Sequence, residues 1–314
     1  MRSDIERTQI KVNRRGLSRE LIRDRYLYLM LLPGIAFFLI YRYLPMYGVV
    51  IAFQDFRIAR GFFRSDWIGL ANFKSVFNAP FFWLAFKNTI IISVYKLFLG
   101  FPAPILLAIM LNEVRAHGYK RTVQTVMYLP HFLSWVVAAH LTVIFFGPAT
   151  GVVSTLYRAI FGVKMDALVN PRLFRGLLVV TEIWKTAGWA TIIYLAALAG
   201  VDPNLYEAAL IDGTNKFQQI LYITVPTIMP VIVIMFILRV GRIMSAGFEQ
   251  IFVLQNPLVY EVSEILDTYV YKTAFTQGRY AFGAAVGLFK AVIGLVMVTT
   301  TNYVSRRVGQ EGMW

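Results

Sequence analysis

The chain has 314 residues, 58% of them hydrophobic and only 15% charged, with a mean hydropathy of +0.60. Soluble domains carry nearer a quarter charged residues, so this composition excludes a soluble globular protein and marks an integral membrane one. The net charge is +14, with 31 Lys and Arg against 17 Asp and Glu. In a soluble protein that excess would suggest nucleic acid. In a membrane protein the basic bias of cytoplasmic loops and the pull of anionic headgroups account for much of it. The absence of cysteine removes disulfides, zinc-thiolate sites and thiol nucleophiles. His117, His131 and His140 show no metal-ligand spacing.

In chain order, residues 1–25 are polar and basic. They are too long for the n-region of a signal peptide, and no small-residue cleavage site follows the next apolar run. They read as a cytoplasmic tail. A first span is expected over 27–50, interrupted by Arg42 and Pro45 near its outer end. An external loop rich in aromatics covers 54–87. The second span, 88–111, carries Lys96, and Pro102 and Pro104 should kink it. A short basic loop at 112–122 leads to a third span, 124–146. An external loop to about 172 precedes the fourth span, 173–199, which holds Glu182 and Lys185. The fifth span, 225–243, begins at Pro226 and is kinked by Pro230. Within the external segment 244–281, Val262, Ile265, Leu266, Tyr269 and Thr273 recur at helical spacing. The sixth span, 282–304, ends at Arg306 and Arg307, before a short tail at 306–314. On it Gly283, Gly287 and Ala291 form a stripe that favours close helix approach. Each span reaches about 20 residues, the length a bilayer needs. Six spans put both termini on one side. Clusters of Lys and Arg in the tail, the 112–122 loop and the C-terminal end favour the cytoplasmic side.

Between the fourth and fifth spans lies a polar island at 202–226. Asp202 can cap a helix, Pro203 suits its first turn and Gly213 its left-handed exit. A second short helix can start near Asn215 and run to Pro226. Two short helices around a glycine bend make a knob at the membrane surface, suited to being gripped by another protein.

This island resembles the E-A-A-x-x-x-G loop of permease subunits of binding-protein-dependent ABC importers. Glu207, Ala208, Ala209, Asp212, Gly213, Ile223 and Pro226 fall at that family's spacing, and Val225 departs from its usual leucine. The resemblance extends along the chain through Arg25 to Gly34, Tyr128 to Phe132, Ile183 to Lys185, Gly247 to Phe252, Asp267 to Tyr271 and Ala285 to Lys290. These stretches resemble the branch importing oligosaccharides and acidic polysaccharides such as alginate. The resemblance implies an all-α membrane protein with six transmembrane helices of the type I importer kind, in a permease domain over 26–305. It implies that the loop bears a cytoplasmic coupling helix docking on an ATPase subunit through Glu207, Ala208, Ala209, Asp212, Gly213 and Pro226. It implies a second, different permease, two ATPase subunits that bind ATP and Mg, an external (periplasmic) solute-binding protein and an oligosaccharide cargo. The location would be the bacterial inner membrane. The chain holds no G-x-x-x-x-G-K-[ST] phosphate loop, so it is expected to hydrolyse no ATP, to bind no cofactor and not to be an enzyme.

Charges inside spans are costly unless compensated, about 2.5–3.5 kcal/mol at mid-span on insertion scales. The residues concerned are Lys96, Glu182, Lys185, Arg239, Arg242 and Lys290, with Arg42 as an interfacial anchor. Glu182 and Lys185 are placed to pair on one helix, or to serve the substrate pathway. Lys96 and Lys290 have no obvious local acid. Each sits roughly 13 Å into a span, suited to a pathway role, or to pairing with a partner subunit's acid or a backbone carbonyl. The excess of cations suits an anionic cargo, with Lys96, Lys290, Arg239 and Arg242 expected to line an entry funnel for it unless a partner permease supplies the missing acids. The competing reading is a stand-alone ion-coupled carrier with Glu182 as proton site. The knob discriminates, since a lone carrier has no use for it.

Overall fold

The computed structural model describes residues 23–148, 151–163, 165–309 and 312–313. The expected tail at 1–25 falls almost wholly outside them, and the one at 306–314 in part. The chain divides into two compact units, residues 1–50 and 51–314. The first unit is the apolar helix α1, part of a continuous helical run Arg25–Phe53. Pro45, expected from sequence to interrupt the span, does not break it. The helix loosens to a π-turn at Leu39–Tyr43 and continues as 3-10 helix from Leu44.

The second unit opens with a small antiparallel hairpin. Strand β1 (Gln54–Asp55) pairs with β2 (Asp66–Trp67), Gln54 opposite Trp67. Asn72, on α2 (Ala71–Phe77), donates to the carbonyls of Ala52 (3.0 Å) and Gln54 (2.9 Å), satisfying an edge that would otherwise be open. Helix α3 (Pro80–Glu113) starts eight residues ahead of the expected 88, with Pro80 in its first turn, where a missing N–H costs nothing.

The kink expected at Pro102 is a π-turn at Lys96–Gly100. The same grammar recurs in α9 (Lys216–Gly241), where the π-turn Ile220–Thr224 precedes Pro226. In α1, α3 and α9 the π-turn ends two residues before the proline. Proline offers no N–H to the carbonyl four residues back. A π-turn passes that bond one residue further along, so the helix runs on through the proline. For this reason α9 begins at Lys216, within the island, and not at Pro226.

The third span is not a single helix. Helix α4 (His117–Phe132) and α5 (Trp135–Phe146) meet at 108°. Leu133 and Ser134 are extended, and the Ser134 hydroxyl accepts from the Val137 N–H at 3.3 Å to start α5. The loop expected at 112–122 is mostly the first turns of α4. Helices α6 (Val152–Phe161) and α7 (Pro171–Ala199) follow, then α8 (Pro203–Ile211) and α9. The segment at 244–281 is not one helix across 261–273 but contains α10 (Phe248–Leu254), α11 (Tyr260–Ser263) and α12 (Leu266–Val270). Glu264 and Ile265 are extended because long-range bonds hold them out of the helix. Asn88 donates to the Glu261 (2.9 Å) and Glu264 (3.1 Å) carbonyls, and the Leu266 N–H donates to Thr89 Oγ1 (2.9 Å). Helix α13 (Tyr280–Arg307) closes the chain.

Among the described residues four helices, α1, α3, α9 and α13, are long and apolar enough to cross a membrane, and the bent α4–α5 pair makes a fifth if counted as one span. Helix α7 is 29 residues long, but Arg172, Arg175, Glu182 and Lys185 lower its hydropathy. It is the axis of the unit, packed against α3, α4 and α9. Its crossing with α4 is at Gly188, where a Cβ would lie 2.0 Å from the Met127 carbonyl oxygen. On α13 the expected stripe is only partly used. Gly283 abuts Ala274, a Cβ at Gly287 meets nothing, and the tight crossing with α9 runs through Gly294 against Gly241.

Gly188→Ala is therefore expected to push α4 off α7 and lower the melting temperature of the detergent-purified protein by several degrees. Overpacking typically costs about 1–3 kcal/mol. Gly176→Ala, on the same helix in open space, is expected to leave stability unchanged or slightly raised. Equal losses in both variants would exclude the crossing as the cause.

Candidate functional site

Three helices bring charge together in space. Lys96 lies in the π-turn of α3, Glu182 midway along α7 and Arg239 in the last turn of α9. Glu182 bridges the two cations, one carboxylate oxygen to Lys96 and the other to Arg239. Lys96 is 4% exposed, and its ammonium also donates to the Ala246 carbonyl (2.7 Å) and to Gln250 Oε1 (2.5 Å). An ammonium has three N–H groups, and all three are used. Gln250, fully buried on α10, completes the network by donating to the Leu178 carbonyl (2.7 Å) and Thr181 Oγ1 (2.8 Å). The chain enters α10 through Gly247, at φ +95°, which side chains other than glycine adopt at a cost. A Cβ there would also sit 2.9 Å from the Lys96 nitrogen.

Two cavities flank this cluster, and Lys96, Glu182, Thr186 and Arg239 line both. One, of about 150 Å³, lies on the α8 side, between Phe101, Pro104, Tyr194 and Met235. The other, of about 210 Å³, lies on the opposite side, with Ser93, Trp135, Arg242 and Ser245. The ion bridge is thus a wall shared by two cavities, each large enough for several waters. An arrangement of two or three cations around one carboxylate can stabilise an anion in either space.

A family model described as "Binding-protein-dependent transport system inner membrane component" matches residues 100–310. The chain belongs to that family. Protein LplB of Bacillus subtilis (strain 168) is 44% identical over 93% of this chain and 92% of its own. The polygalacturonan/rhamnogalacturonan transport system permease protein YteP of the same strain is 44% identical over 97% of this chain and 95% of its own. Among solved structures, a chain of a bacterial alginate ABC transporter in complex with an alginate pentasaccharide-bound periplasmic protein superposes with a TM-score of 0.87. It is 41% identical over 95% of this chain and 100% of that one.

In this permease the remaining charges singled out from sequence fall elsewhere. Lys185 does not pair with Glu182. Its ammonium donates to the His131 carbonyl (3.0 Å) and lies 5.3 Å from the Trp135 ring centroid, at the α4–α5 bend. The His131 ring stacks on Trp189 at 4.7 Å. Lys290 is not short of an acid, because Asp267 on α12 pairs with it. Lys96 likewise finds Glu182, so the two lysines that lack a partner in sequence are both paired by distant segments. Arg242 is exposed and has no acid partner among the described residues. Gln250 and Gly247 were not singled out individually. A buried amide is invisible to periodicity, and the one signal for it was a Gly-Phe-Glu-Gln run too polar for a span.

The island forms the knob its local signals specify, with one change. Asp202 Oδ1 accepts from the Asn204 N–H (2.9 Å), and Pro203 opens α8. Gly213 stands at φ +74°. Asn215 and Gln218 form a reciprocal capping box at the start of α9 (2.8 and 2.9 Å). Glu207, Ala208, Asp212 and Gly213 are exposed and Ala209 is half-buried. Pro226 is exposed too, but on α9 beyond the π-turn. Leu210, Ile211, Phe217 and Tyr222 also stand in the open, an apolar cap on a polar island. Tyr206 and Thr224 share a hydrogen bond of 2.9 Å that ties α8 to the π-turn of α9.

Proposed function

We propose that this chain is the membrane subunit through which an ATP-driven importer moves an acidic oligosaccharide into the bacterial cytoplasm. The observation that carries the charge preference is the pair of cavities walled by Lys96, Arg239 and Arg242 around the single acid Glu182. The alginate and polygalacturonan transporters similar to this chain handle polymers of uronic acids, which supports the same chemistry here. Helices α1, α3, the α4–α5 pair, α7, α9 and α13 make six spans, with both termini cytoplasmic. That sets the 202–226 knob in the cytoplasm, where α8 is the coupling helix. The exposed Glu207 and Ala208 and half-buried Ala209 on it, with Asp212 and Gly213 at its exit, Pro226 on α9 and the apolar cap beside them, dock on an ATPase subunit. ATP and Mg belong to the two ATPase subunits. A second, different permease completes the pathway. The external segments at 54–87, 147–172 and 244–281 receive the periplasmic binding protein.

The test is uptake by the complete transporter, reconstituted in lipid vesicles with its binding protein. A trigalacturonate is expected to enter at least tenfold faster than a neutral trisaccharide such as maltotriose. Faster uptake of the neutral sugar would overturn the charge preference. Uptake of either without ATP would overturn the importer assignment.

A further inference from the structure

We propose that Glu182 is a built-in stand-in for the cargo's carboxylate, and that Arg239 reads the cargo's charge by exchanging one carboxylate for the other. The inference rests on the acidic-saccharide reading above and assigns its selectivity to a residue.

The two halves of the ion bridge are not equivalent. On the Lys96 side everything is fixed. The ammonium is buried, its three N–H groups are all used, and two of them hold the 246–250 segment in place. On the Arg239 side the side chain is 41% exposed. A guanidinium carries five N–H groups, and Glu182 is the only partner of Arg239 among the described residues. Arg239 lines both cavities, and its remaining donors have no protein partner among the described residues. Three residues on, Arg242 lines the outer of these cavities and has no acid partner among the described residues. Two guanidiniums at that spacing share a face of the chain, and each can grip a carboxylate through two parallel hydrogen bonds.

These facts define an order of events. A carboxylate arriving in the outer cavity meets Arg242 first and Arg239 next. When it takes Arg239, Glu182 keeps its contact with Lys96, so no buried acid is left alone. Arg239 swings from Glu182 to the cargo, and the partition between the cavities opens on the Arg239 side. With no cargo present Glu182 takes Arg239 back, so no arginine stands uncompensated in the span, where it would be costly. A neutral sugar offers nothing to replace Glu182, and the partition stays shut. A bridge that served stability alone would have no reason to leave Arg239 half-exposed between two cavities with most of its donors unused.

The probes are trigalacturonate and its full methyl ester, equal in length and differing in charge, carried by the complete transporter in vesicles. This chain has no cysteine, so in Arg239→Cys the new thiol is its single target for thiol reagents, and wild-type transporter treated in the same way controls for the partner subunits. Wild type is expected to favour the acid over the ester at least tenfold. Arg239→Cys should bring that ratio near one. Aminoethyl methanethiosulfonate, which restores a cation, should recover at least half of the preference, and the sulfonatoethyl reagent none of it. Glu182→Gln removes the competing carboxylate and keeps an acceptor for Lys96. It should lower KM for the acid at least threefold and leave KM for the ester unchanged. An unaltered ratio in Arg239→Cys would sink the inference, as would equal effects of the two reagents or an unchanged or raised KM for the acid in Glu182→Gln. If Glu182→Gln does not assemble, the Arg239→Cys chemistry decides alone. A wild-type transporter that carries neither probe refutes the acidic-saccharide reading, and this inference with it. One that prefers the acid while Arg239→Cys keeps that preference refutes the inference only.

Discussion

Lys96→Met should be the most damaging single substitution in the chain. It leaves the Glu182 carboxylate, 13% exposed, with one cation in place of two, and strips Gln250 Oε1 and the Ala246 carbonyl of their donor. Breaking a buried pair by removing one partner typically costs about 3–5 kcal/mol, because the surviving charge stays desolvated. An unpaired buried acceptor adds about 1–3 kcal/mol. The variant is expected to give little assembled transporter, and what assembles should melt well below wild type. Arg57→Gln, which breaks the exposed Arg57–Asp55 pair (3.4 Å), is the comparison. Exposed pairs contribute about 0–1 kcal/mol, so that variant should melt within a degree or two of wild type. Adding Glu182→Gln to Lys96→Met should recover part of the loss, since it removes the stranded charge. Strictly additive losses would show that the ion bridge is not what Lys96 supports.

Gly213→Val should assemble and yet fail to transport. At φ +74° the left-handed conformation costs an L-residue roughly 1–2 kcal/mol, and a β-branched one is a genuine outlier there. A Cβ at Gly213 would meet nothing within 4 Å, so the substitution does no steric harm to its surroundings. Its whole effect is to turn the exit of α8 and re-aim the exposed Glu207 and Asp212. Uptake is expected to fall at least tenfold and cargo-stimulated ATP hydrolysis to disappear, while affinity for the binding protein is kept. Asn tolerates the left-handed region better than Ala, and Ala better than Val. Loss of coupling should therefore grow in the order Gly213→Asn, Gly213→Ala, Gly213→Val. Wild-type uptake in an assembled Gly213→Val transporter would remove the knob from the coupling route.

The same two residues mark what is legible in one dimension. The knob is written in adjacent letters. A capping Asp202, Pro203 after it, Gly213 at the turn and Asn215 with Gln218 act over one to three residues, so local rules recover its shape. Apolar runs likewise reveal where hydrocarbon-length segments lie, because insertion responds to summed side-chain transfer along a stretch. The π-turns before Pro45, Pro102 and Pro226 were less legible. Proline announces a lost hydrogen bond but not whether the helix breaks, kinks or passes the bond along, and the π-turn of α1 forms with none of its residues buried. The break at Leu133 and Ser134 follows Pro130 and was likewise not legible as a break in the third span.

By itself the sequence determined that this is a multi-span membrane protein with a surface knob between two late spans. Those are consequences of composition and of short-range backbone chemistry, which need no knowledge of neighbours. Only the tertiary structure decided which charges meet. Lys96, Glu182 and Arg239 come from three helices, and Lys290 finds Asp267 from another segment altogether. Helical spacing pointed Glu182 at Lys185, yet a span interior rewards whatever opposite charge lies nearest in space. Packing around α7 put that charge on other helices.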